Sequence, residues 1–120
     1  MKLASSLIYL SLILFCACSN SNDLKIAVED SKEIFKFSAH YDKKNTEKVQ
    51  RMINAAISPT HIVSTEDWDL TTILDDDTKF KIESAPGDLL IEFNKKENSH
   101  PSYLRVKKMC ENLKTGLTAR

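Results

Sequence analysis

The chain has 120 residues, 17 of them basic and 17 acidic, a length that suits one domain and is short for two. A formal charge of zero supplies no overall field to draw nucleic acid or acidic lipid headgroups. With only two glycines, Gly-rich phosphate loops, collagen-like repeats and flexible glycine linkers are excluded.

The first stretch carries the strongest signal. Lys2 precedes an apolar run from Leu7 to Cys18, shorter than the roughly 20 residues needed to span a bilayer. A positive start and a short apolar run are the first two regions of a secretory signal. Its end, Phe15-Cys16-Ala17-Cys18, resembles the lipobox of bacterial lipoproteins. In that family an aliphatic residue, a small residue and Gly, Ala or Ser precede the cysteine that receives lipid. Ala17 and Cys18 fit the pattern, whereas Phe15 and Cys16 depart from it.

The resemblance covers about 18 residues. It implies removal of residues 1–17, lipid on Cys18 and a membrane as partner, with a location in the bacterial cell envelope. Buried acyl chains contribute about 0.8 kcal/mol per CH₂. Ser19, where enteric-type sorting would place Asp for the inner membrane, implies the outer membrane if the cell is Gram-negative. An ordinary signal peptide cut nearby, or an uncleaved anchor, is the competing reading. Processing after Ala17 would remove Lys2 and no acid, leaving a net charge of −1. Cys16 would leave with the signal and Cys18 would be acylated, so Cys110 would have no partner for an intramolecular disulfide.

Residues 18–32 begin polar and read as a lipid-anchored tether, with an edge strand allowed by the alternation of Leu24, Ile26 and Val28. Residues 33–120 read as a single domain. Ile34 to Tyr41 reads as a strand with Phe35, Phe37, Ala39 and Tyr41 on one face and Lys36, Ser38 and His40 on the other. Val49, Met52, Ile53, Ala56 and Ile57 form one stripe of a helix over Thr46–Ile57, with Asn45 as N-cap and Pro59 as stop. Residues 58–68 read as a loop carrying Trp68, with a short extended piece over His61–Ser64.

Leu70–Leu74 reads as a strand ending in the turn Asp75-Asp76-Asp77-Thr78. Next comes a hairpin of Lys79–Ser84 and Leu89–Asn94 around Pro86-Gly87, a pair suited to a type II turn. Its pairing sets Ile82 against Ile91, Phe80 against Phe93 and Lys81 against Glu92. Type II turns splay two-residue hairpins, so a bulge or one-step adjustment is expected. Pro101 to about Thr115 reads as the last helix, capped at Ser99 or His100 and stopped by Gly116. Its seam is Tyr103, Val106, Cys110, Leu113 and Leu117.

The expected fold is therefore α+β, a two-layer sandwich in the order β-α-β-β-β-α. About four mainly antiparallel strands carry two helices on one face. The other face, with Lys36, Ser38, His40, Lys81 and Glu92, is left for water or a partner.

Chemistry is sparse. Asp75-Asp76-Asp77 has the charge for a cation but lacks the alternation, glycine and distal glutamate of a Ca²⁺ loop. Asp67 and Asp69 flank Trp68 and could in principle work as an acid–base pair. His40, His61 and His100 fall in separate elements without zinc spacing. Cys110 lies on an apolar seam, the setting of an inert thiol. Helix, three strands, helix is also the element order of the double-stranded RNA-binding domain, but an exported chain without evident basic surface does not fit RNA.

The expectation is a non-catalytic, membrane-tethered interaction module, an assembly accessory or an immunity/inhibitor protein. No cofactor or metal is implied, and no nucleic acid. Trp68, Lys36, His40 and Lys81 are its candidate partner contacts. The alternative is a small-ligand or cation-binding protein, or an enzyme, using Asp67, Asp69 and Asp75–Asp77.

Overall fold

A computed structural model describes residues 24–61 and 68–119. The signal-like segment, Cys18, Asp67 and most of the extended piece over 61–64 lie outside the described residues.

The strands are β1 (Lys25–Asp30), β2 (Ile34–His40), β3 (Trp68–Ile73), β4 (Lys79–Ala85) and β5 (Asp88–Asn94). The helices are α1 (Thr46–Ile57) and α2 (His100–Thr118). Short 3₁₀ turns at Lys43–Asn45 and Lys95–Glu97 lead into them. All neighbours in the sheet are antiparallel, in the order β1-β2-β5-β4-β3.

This corrects the expectation of four strands in the order β-α-β-β-β-α. The sheet has five, because residues 25–30, assigned above to the tether, pair along all of β2 from Lys25–His40 to Asp30–Phe35. The physical reason is the unpaired outer edge of β2, which β1 satisfies with backbone hydrogen bonds. Asp30 secures the far end, where its carboxylate accepts from Lys95 Nζ at 2.6 Å and from the Tyr103 hydroxyl of α2.

The core lies between the sheet and the two helices. Phe35, Phe37, Phe80, Ile82, Ile91 and Phe93 meet Val49, Ile53 and Ile57 of α1 and Val106, Cys110 and Leu113 of α2, all buried. Burying a side chain of this size is worth about 1.5–3 kcal/mol. The stripe that defines α1 in the sequence is thus the stripe that packs.

Local signals were redirected at three points. Asn45 makes no side-chain cap; Asp42 instead accepts from the Lys44 N–H at 3.0 Å and opens the 3₁₀ turn before α1. Gly116 does not stop α2, which runs on to Thr118. A Cβ there would lie 2.5 Å from Met52 Cε, so the glycine is a close-approach site between the helices. Trp68 is not in a loop: its backbone begins β3, paired with Ser84.

The β4–β5 hairpin keeps the expected pairs Ile82–Ile91 and Lys81–Glu92. It shows no bulge, since the register is constant from Ala85–Asp88 to Lys81–Glu92. Gly87, at φ +84°, supplies the left-handed residue the turn requires.

Candidate open-face groove

Strand alternation places the long polar side chains on the face away from the helices. The register then sorts them into rows across the sheet. Glu29, Lys36, Glu92, Lys81 and Thr71 form one row, with charges alternating in sign over its first four members. Within it, Lys36 Nζ lies 3.7 Å from Glu92 Oε2. Lys81 instead turns to Glu83 on its own strand, at 3.0 Å.

The neighbouring row is Ala27, Ser38, Leu90, Glu83 and Asp69, and the next is Lys25, His40, Asp88 and Ala85. Ala27 and Ser38 are short, so the face is low beside the row of Lys25, His40 and Asp88. The depression, about 690 Å³, includes Ala27, Ser38, Leu90 and Ala85, with Lys25, His40 and Asp88 at one rim and Glu83 and Asp69 at the other end.

At the rim His40 Nδ1 and Asp88 Oδ1 are 2.9 Å apart, across the β2–β5 pair. Ser38 lies two residues before His40 on the same face, which raises the question of a Ser-His-Asp arrangement. No hydrogen bond joins Ser38 to His40 among the described residues, and both members of the His40–Asp88 pair are more than half exposed. The sheet ladder also engages the local backbone, leaving no paired N–H donors aimed at an oxyanion. Among the described residues Ser38, His40 and Asp88 therefore form no connected relay, and the depression is a small apolar floor with charged groups at its edges.

Of the residues singled out in the sequence, Lys36, His40 and Lys81 do share this face. Lys36 and Lys81 both flank Glu92 outside the depression, while His40 stands at its rim. The side chain of Trp68 lies outside the described part. Lys25, Ala27, Asp88 and Leu90 were missed. Lys25 and Ala27 alternate with Leu24 and Ile26, a signal that was present, whereas Asp88 reads in sequence as a turn residue.

The acidic residues do not converge. Asp69 is on the open face near the start of β3, and Asp75 and Asp76 follow its other end. Arg105 of α2 holds both of the latter, 2.9 Å from Asp76 Oδ2 and 3.3 Å from Asp75 Oδ1. Asp76 Oδ1 also accepts from the Thr78 N–H at 3.0 Å. The Thr78 hydroxyl foremost, with that N–H and Arg105, holds the Asp76 carboxyl down at about 2, against a partial opposing effect of desolvation. The cluster is thus a braced turn. No group of three His, Cys, Asp or Glu placed to hold a metal occurs among the described residues.

His61 is exposed, and the ring of His100 lies 5.8 Å from that of Tyr103 at the start of α2. Cys110 is buried in the core, and burial pushes its thiol up to about 12. Among the described residues no helix is long and apolar enough to cross a membrane. No family model, curated protein or solved structure matches the chain, so its fold and open-face groove stand on their own geometry.

Proposed function

We propose that the chain is a membrane-tethered, non-catalytic interaction module of the bacterial envelope. It is anchored through Cys18 and receives a protein partner on the open sheet face, as an assembly accessory or as an immunity/inhibitor protein. The observation that carries the reading is the depression itself, a floor of Ala27, Ser38 and Leu90 with Lys25, His40 and Asp88 at one rim and Glu83 and Asp69 at the other end. Its apolar floor offers burial, and the fixed order of charges offers register and selectivity. The lipobox-like Phe15-Cys16-Ala17-Cys18 supports the anchor, and Ser19 favours the outer membrane in a Gram-negative cell. The alternative built on Asp67, Asp69 and Asp75–Asp77 gains no geometric support, because Asp69 and the Arg105-bound turn lie at opposite ends of β3.

Quantitative capture from detergent-solubilised envelopes tests it. The native chain should enrich a specific protein, and Leu90→Arg, which fills the floor, should lose it while melting normally. Enrichment that is equal for both, or no enrichment above a signal-only control, rules the proposal out. Intact-mass analysis of the purified chain tests the anchor separately: an unmodified Cys18 removes it.

A further inference from the structure

The two edges of the sheet are built differently. β1 carries Lys25, Glu29 and Asp30, and its end is tied to Lys95 and Tyr103. Charges of that kind discourage another strand from adding. β3 reads Trp-Asp-Leu-Thr-Thr-Ile, with one charge and no proline. Ile73 is 62% exposed and Leu70 39% exposed. Among the described residues no element lies beyond it.

The β3 edge is also self-complementary. We infer that two copies of this chain pair antiparallel through β3, about a two-fold axis at Thr71, to form one continuous sheet. In that register Leu70 stands opposite Thr72 of the second copy, and Asp69 stands opposite its Ile73. On the helix side the row Ile82–Leu70 continues into Thr72–Phe80 of the second copy, so the row stays mainly apolar. On the open side Glu83–Asp69 continues into Ile73–Lys79, so the acidic pair of one copy and Lys79 of the other lie on one row with Ile73 between them. Asp69 never faces its own copy. This register covers Ile73, the most exposed of the large hydrophobics; a two-fold at Leu70 leaves it outside the paired strand residues. A perpendicular two-fold keeps both helix layers on one side and both grooves open on the other. The inference is independent of the anchor and of the partner proposed for the groove.

Light scattering behind size-exclusion chromatography, on the purified full chain over a concentration series, reads the assembly. The mass should double with concentration. Ile73→Glu faces Lys79 within its own chain but Asp69 across the two-fold, twice per dimer, and should weaken dimerisation by about tenfold without lowering the melting temperature. Adding Asp69→Lys to Ile73→Glu should restore the dimer, because the new pair is then opposite in sign. Val28→Lys on the β1 edge should change nothing. Thr71→Cys should give a covalent dimer on mild oxidation where Glu111→Cys, on α2, does not; this reading stands even if Ile73→Glu misfolds. A native chain that is monomeric throughout, a dimer indifferent to Ile73→Glu, a failed rescue, sensitivity to Val28→Lys, or no Thr71→Cys-specific crosslink overturns the inference.

Discussion

Thr78 Oγ1 and Ser102 Oγ lie 2.7 Å apart in the core, joining the β3–β4 turn to the first turn of α2. Thr78 is fully buried and Ser102 nearly so. Ser102 Oγ accepts from the Ser99 hydroxyl at 3.1 Å, and Ser99 Oγ accepts from the Ser102 N–H, so the N-cap of α2 belongs to the same network.

Thr78→Val keeps the shape and removes the hydroxyl. It should cost about 1–3 kcal/mol, the usual penalty for an unmatched buried polar partner. Ser102→Ala alone should cost a similar amount, and the double variant less than the sum. Denaturant melts of all four proteins give the coupling. Strict additivity would show that the contact has no energetic role.

Acid should unfold the domain through Asp76 and Asp30. The Asp76 carboxyl sits at about 2, and Asp30 is lowered by Lys95 first and by the Tyr103 hydroxyl second. A carboxyl depressed in the fold stabilises it above the unfolded value near 4, and that stability is lost as pH falls. For Asp76 the window is pH 4 to about 2. Thermal melts over this range should fall steadily, and Asp76→Asn should start lower at pH 7 and fall less steeply.

Gly87 is the substitution-sensitive turn position. At φ +84° an added Cβ would lie 2.9 Å from the Tyr41 carbonyl oxygen, which is backbone and cannot swing aside. Gly87→Ala should therefore destabilise by about 1–3 kcal/mol. Gly116→Ala crowds the end of the Met52 side chain and only touches that of Lys48, both flexible groups, and should cost clearly less. Chemical melts of the pair check the ranking.

The Cys110 thiol should be inert in the folded protein. With its ionisation pushed up to about 12 by burial, the thiolate is almost absent at pH 8. Peptide-resolved labelling by a thiol reagent should follow unfolding in denaturant, with no fast phase. The sign for stability is opposite to that of the carboxylates. A raised thiol contributes fully below the unfolded value near 9 and loses that contribution as pH climbs towards 12.

Periodicity made β2, α1 and the β4–β5 hairpin legible, because each carries its own buried stripe within a few residues. The alternation in β2 also named Lys36 and His40, and that in β4 named Lys81. What remained hidden depends on distant partners. β1 is exposed over most of its length and exists as a strand through its pairing with β2. Asp88 becomes a groove residue only when β5 lies against β2, 48 residues from His40. Gly116 carried a true local signal for helix termination, outweighed by Leu117 packing on the core and by Met52 filling the space beside it. Asn45 lost its cap role to the 3₁₀ turn begun by Asp42.

Counting β1 into the sheet has a consequence for reach. Under the proposed anchoring, only six residues would separate the acylated Cys18 from Lys25, a leash of about 25 Å at full stretch. Lys25 also stands at the rim of the groove. A protein docking there would have to approach close to the headgroups, so a bulky client could enter only from the side and a slender, surface-hugging one would be favoured.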